Sequence, residues 1–182
     1  MKKTIEKLSE SIRNKYVDSR TKALLCQNQI LMLCFYDLGK KISESSSETE
    51  HNSNFYEVLS NELIEKLGKN PTFSQSNLKD LETFYLLYQN YYSQFPFEYE
   101  KAMNEGFITE SFYHIISLPW SFHKHIIQKC KNVHEAFFYV DEAYYGKWSE
   151  KELIKHLAND SYNDPNYKID TTGRSLFDML GE

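Results

Sequence analysis

Apolar residues recur along most of this chain at spacings of three and four, the period of helices that bury one face. The clearest run follows Asn70-Pro71, where proline breaks the element before it. Ser74 can cap a new helix there, or Thr72 can, with Gln75 at the capping-box position. Leu78, Leu81, Tyr85, Tyr88 and Tyr92 then share one face, and Phe84, Leu87 and Tyr91 widen it. Gln75, Ser76, Lys79 and Glu82 fall elsewhere and are polar. A helix that is apolar along its length and polar at its start has the form of the second helix of a helix-turn-helix.

The rest of the chain reads as further helices. Ile5, Leu8 and Ile12 predict an amphipathic helix over residues 3–15. A longer one is expected from Asp18 or Ser19 to near Ile42, apolar nearly all round and therefore central. Gly39 lies near its end. Ser43 to Ser53 holds no apolar residue and reads as a linker. Phe55, Val58, Leu59, Leu63 and Leu67 mark a helix that stops at Gly68. Beyond the opening run, Phe95-Pro96-Phe97 turns the chain, and Tyr99 to Asn104 allows a short helix before Gly106. Thr109 can cap a segment with Phe112, Ile115 and Ile116, and Ser121 one that runs to Cys130. Asn132 with Glu135 starts the next, which places Ala136, Phe137, Val140 and Tyr144 on one side. Ser149 with Glu152 starts the last, with Leu153, Ile154 and Leu157 facing inward. Residues 161–182 are polar and loop-like, apart from Leu176, Phe177, Met179 and Leu180.

Composition agrees with an all-α chain. Six glycines and four prolines among 182 residues are too few for a fold rich in tight turns. Aromatics are abundant, with 14 Tyr, 12 Phe and 2 Trp, which suits tyrosines placed at helix contacts with their hydroxyls at the surface. Trp120 is expected to dock two helices, and Trp148 to act as a hydrophobic staple. The net charge of −5 argues against nucleic-acid binding driven by overall charge. Yet the first 22 residues carry seven Lys or Arg against three acids. Cys26, Cys34 and Cys130 have no Cys-x-x-Cys spacing and read as small buried residues in a reducing cytosol. No stretch of about 18 apolar residues exists to span a membrane.

Little in the chain suggests catalysis. A PD-(D/E)XK nuclease places an acid two residues before its lysine, and no lysine here has one. Gly-rich phosphate loops and a Gly-x-Ser-x-Gly elbow are missing. His123 and His125, with His114 or His134, are the only histidines that raise the question of a metal. Two residues apart on a helix, His123 and His125 point to different sides. No cofactor and no metal are expected.

Several separated stretches resemble one family. They are Gln27-Asn28, Phe35-Tyr36-Asp37-Leu38-Gly39-Lys40-Lys41-Ile42, Leu59-Ser60-Asn61-Glu62-Leu63 and Phe73-Ser74-Gln75-Ser76-Asn77-Leu78. Phe84-Tyr85, Tyr88, Leu118-Pro119-Trp120 and Trp148-Ser149-Glu150-Lys151-Glu152-Leu153 follow in the same order. Over residues 10–158 the chain is similar to the N-terminal domain of YhcG-type bacterial proteins. In that family a helical, winged-helix-like domain precedes a PD-(D/E)XK nuclease domain. Ser175 to Gly181 is loosely similar to the lead into that nuclease. The chain departs from the pattern at Gln75-Ser76, where the family often has arginines, and at Glu82, in place of an arginine. His51-Asn52 stands near the place of an aromatic-Gly pair, and Ser121-Phe122 follows the tryptophan in place of Gly-His or Ser-His. Lys151 keeps a positive charge where the family often has Arg.

The resemblance implies a helical domain over 1–160 with helix-turn-helix or winged-helix-like units, and a tail or linker over 161–182. The polar start of the helix after Asn70-Pro71 is read as that of a non-catalytic, cytoplasmic module that binds or targets double-stranded DNA, with Gln75, Ser76 and Lys79 as the contacting residues. Glu82 is expected to repel phosphate. The alternative is a protein-interaction or dimerisation module, whose partner is a nuclease domain or a second copy. Tyr36, Gly39, Phe73, Leu78, Trp120 and Trp148 are expected to anchor the fold.

Overall fold

A computed structural model describes residues 2–48, 54–92 and 110–169. Among them every regular element is helical. The helices are α1 (Lys2–Glu48), α2 (Phe55–Leu67), α3 (Gln75–Tyr92), α4 (Glu110–Ser117), α5 (Trp120–Lys129), α6 (Val133–Tyr145) and α7 (Glu150–Ala158), with a 3₁₀ turn, Pro71–Phe73, between α2 and α3. The expected Phe95-Pro96-Phe97 turn, the Tyr99–Asn104 helix, the Thr109 cap, the His51-Asn52 pair and Ser175–Gly181 lie outside the described residues, as do the side chains of Tyr91 and Tyr92.

The two helices expected over residues 3–42 are one continuous helix of 47 residues. No glycine or proline occurs before Gly39, so Asp18 and Ser19 lie inside a helix that nothing interrupts. The helix also extends through the expected linker as far as Glu48. Ser46 Oγ donates to the Ser43 carbonyl at 3.1 Å. Nor is α1 apolar all round in effect: Leu24, Ile30 and Leu31 are exposed, while Met32, Phe35, Tyr36 and Ile42 are buried.

The core lies where the second half of α1 crosses α3 and α4. Gly39 sits at the crossing with α3, and a Cβ there would lie 2.1 Å from the Leu81 carbonyl oxygen. It is a contact point in mid-helix, not a helix end. Tyr36 meets Phe84, Tyr85 and Phe112 edge-on, with ring centroids 6.1, 5.2 and 6.5 Å away. Leu78, Leu81, Phe84 and Tyr88 form the most buried row of α3, so Phe84 belongs to the main row and Tyr85 flanks it.

Asn28 Nδ2 donates to the carbonyls of Ile116 and Leu118 at 2.9 and 3.0 Å. These are end-of-helix carbonyls of α4 with no intrahelical donor left. The break at Leu118-Pro119 holds, but Pro119 takes the N-cap position and α5 starts at Trp120, so Ser121 is not its cap. Asn132 Oδ1 accepts from Glu135 N at 3.0 Å and caps α6. Ser149 and Glu152 form a full capping box on α7. Ile154, expected inward, is exposed, as are Val58 and Leu67, which mark the period of α2.

Beyond α7 the chain turns back onto α6. Ser161 Oγ bonds His156 Nδ1 at 2.9 Å, and Tyr167 donates to Glu142 at 2.7 Å. Trp148 stacks on His156 with centroids 4.1 Å apart. Cys26 and Cys34 are exposed, contrary to their expected burial, since they lie on the side of α1 turned away from the core. Cys130 is half-buried, and burial pushes its thiol up to about 12.

Candidate functional site

The start of α3 is held by a short chain of local bonds. Gly68 ends α2 at φ +83°, a left-handed conformation that glycine adopts without cost. Asn70 Oδ1 accepts from Thr72 N at 2.9 Å, and Phe73 and Ser74 N–H groups close the 3₁₀ turn onto the Asn70 and Pro71 carbonyls. Ser60 of α2 donates to the Phe73 carbonyl at 2.6 Å, which ties the turn to α2. Ser74 then caps α3: its Oγ accepts from Asn77 N at 3.3 Å and its carbonyl from Leu78 N at 2.9 Å.

That arrangement leaves Gln75, Ser76 and Lys79 exposed together on the first turn and a half. No acid occupies the first turn. The two acids that follow on α3 both face inward. Asp80 pairs with Lys124 of α5 at 3.3 Å. Glu82 accepts hydrogen bonds from Tyr56 of α2 and, at 2.5 Å, from Ser46 of α1. Burial and this carboxylate push the Tyr56 phenol well above its ordinary range. The same ring lies under Lys79, with Nζ 5.2 Å from its centroid. Glu82 is therefore a clasp joining three helices, not an exposed charge. Its partners are 26 and 36 residues away, and Ser46 lies in the stretch that reads as a linker. Periodicity carries no signal for such a contact.

Asn77 and Trp120 link this turn to α5. Trp120 Nε1 donates to Asn77 Oδ1 at 2.8 Å, and Asn77 Nδ2 donates to the Thr72 carbonyl at 3.0 Å. Trp120 also lies edge-on to Phe35 and Phe84. The expected anchors Tyr36, Leu78 and Trp120 belong to or pack against one core cluster, and Gly39 sits at its α1–α3 crossing; Trp148, just before α7, packs against the same cluster and stacks on His156. Phe73 contributes its carbonyl and is half-buried.

The histidines are not gathered. His123 is fully buried, and its Nε2–H donates to the Ile115 carbonyl at 2.8 Å. Burial lowers its pKa to about 4, so the ring is neutral. His114 meets Asp141 at 2.7 Å and stacks on Tyr144. His125 meets Glu150 at 2.8 Å on the surface, and that bond holds the Glu150 carboxyl below its usual range. No group of three His, Cys, Asp or Glu residues among the described ones is placed to hold a metal ion. No described helix is long and apolar enough to cross a membrane.

Comparison with curated proteins and with solved structures gives no match. A family model does match, over residues 11–164, from the apolar stripe of α1 to the turn beyond α7. That span takes in every helix of the α1–α3–α4 junction and the whole of the α2–turn–α3 unit. The chain accordingly belongs to the DUF1016 N-terminal domain family.

Proposed function

We propose that the chain is a non-catalytic DNA-contacting module, related to the N-terminal domain of YhcG-type proteins, that presents the start of α3 to duplex DNA. The observation that carries this reading is the inward pairing of Asp80 and Glu82. It leaves Lys79 as the charged group beside exposed Gln75 and Ser76. Glutamine matches the paired donor and acceptor of an adenine edge, and lysine meets phosphate. The positive end of the α3 dipole adds to the attraction. A nuclease domain, in a longer protein or a partner, would supply catalysis.

The test is a mobility shift with random-sequence duplex at low salt. The reading requires binding at micromolar protein that weakens as salt rises. No shift at that concentration, or a shift insensitive to salt, removes it.

A second reading, a protein-interaction module, is favoured by a separate observation. The described side chains of α1 from Ile5 to Leu24 are all exposed, and they include Ile5, Leu8, Ile12, Tyr16, Val17 and Leu24.

A further inference from the structure

The first half of α1 has no packing partner among the described residues, although it is strongly patterned. Ile5, Leu8, Ile12 and Tyr16 are 58, 59, 60 and 66% exposed and follow one another at spacings of three and four. The same line continues through Ser19, Ala23 and Cys26 to Ile30, which is 56% exposed. It is a single seam about 38 Å long, at 1.5 Å per residue. It lies about half a turn from the residues that α1 buries in the core, among them Met32, Tyr36 and Gly39. Up to Leu24 the helix is exposed on every side, and the seam is its longest apolar line. Ser9, Ser11, Asn14 and Thr21 are weak helix formers, so this half gains little stability from propensity alone.

The charges beside the seam identify what fits it. Lys15 and Lys22 flank one edge, and Arg13 and Arg20 the other. Glu6, Glu10 and Asp18 lie off the seam, although Glu10 reaches Arg13 at 3.2 Å. Lys15, Arg20 and Lys22 have no carboxylate within ion-pair reach among the described residues. Self-pairing meets a like-charge conflict in either direction. Antiparallel copies would set Lys15 against Lys22 and Arg13 against Arg20, and parallel copies Lys15 against Arg20. A lipid surface is also a poor match. The seam is one row wide, and its middle is Ser19 and Ala23, a shallow track for the side chains of a facing helix.

We infer that the outward seam of α1 docks an acidic amphipathic helix of a partner protein, packed as a two-stranded coiled coil with partner carboxylates along both edges. This rests on the second reading above and names the chemistry of its partner.

The probes are two designed 28-residue peptides with Ile and Leu at the a and d positions. One has Glu at every e and g position, and the other Lys. Fluorescence anisotropy with the full chain should show the Glu peptide binding at least about tenfold more tightly than the Lys peptide. Ile12→Asp, at an exposed position, should weaken the Glu peptide by about tenfold or more while the circular dichroism melt stays in place. The double variant Lys15→Glu with Lys22→Glu should shift preference toward the Lys peptide. Equal binding of both peptides, lost in Ile12→Asp, would keep the interaction reading and overturn the acidic partner. No binding of either peptide, with a monomeric wild-type chain, would overturn both. A wild-type dimer that Ile12→Asp dissolves would make a second copy the occupant and overturn the proposal, as would capture by phosphatidylglycerol vesicles with the peptides ignored.

Discussion

The indole Nε1–H of Trp120 donates to Asn77 Oδ1 at 2.8 Å, so the first turn of α3 and the first turn of α5 share one partly buried hydrogen bond. Asn77 is buried and uses its other side-chain atom on the Thr72 carbonyl. Asn77→Ala removes the acceptor and leaves a donor without a partner, which costs about 1–3 kcal/mol. Urea denaturation should show that loss. Trp120→Phe in the Asn77→Ala background should cost less than Trp120→Phe alone, because the shared bond is already gone.

Gly39 separates two opposing rules. By helix propensity, Gly39→Ala in mid-helix should stabilise by about 1 kcal/mol. By packing, the new Cβ would lie 2.1 Å from the Leu81 carbonyl oxygen and 2.9 Å from the Tyr85 Cβ. The first of these is backbone, and no rotamer change moves it. The helices must separate, at a cost of about 1–3 kcal/mol. The packing term wins, and thermal denaturation should show a lowered midpoint.

Stability should fall as pH drops from about 6.5 to about 4. His123 is neutral in the fold, with its pKa lowered to about 4 by burial, against 6.5 in the unfolded chain. In that window the unfolded state binds more protons, so its population rises as pH falls. The full effect is on the order of 3 kcal/mol. The His156 ring is also lowered by burial and adds in the same direction. Denaturant midpoints at pH 7 and pH 5 measure the slope. His123→Phe should flatten most of it.

Glu82→Ala distinguishes a clasp from an exposed charge. An exposed acid facing phosphate would, on removal, raise duplex affinity. A clasp that holds Tyr56 and Ser46 would, on removal, loosen α2 and α1 from α3. The account predicts lower stability and unchanged or weaker duplex binding. Anisotropy with a labelled duplex, alongside a melt, reads both.

The starts of α6 and α7 are legible because local chemistry marks them, whereas at α5 Pro119 takes the cap position that Ser121 also suits. Asn132 and the Ser149–Glu152 box cap where the residue types say they should. The division of α1 was misread because Asp18 and Ser19 are good caps that also sit quietly inside a helix once no breaker stands nearby. The assignment of Tyr85 over Phe84 failed because both residues fit the period, and only the crossing at Gly39 decides between them. In the candidate site, the exposure of Gln75, Ser76 and Lys79 follows from the pattern of α3. The inward turn of Asp80 and Glu82 depends on Lys124, Tyr56 and Ser46, which no local pattern reveals.

The most direct measurement is amide chemical-shift mapping of the chain titrated with random-sequence duplex at low salt. The account predicts perturbations concentrated from Ser74 to Lys79, and a salt slope that falls by about 1 in Lys79→Ala. Perturbations confined to the basic half of α1, or an unchanged spectrum at a duplex excess, would contradict it.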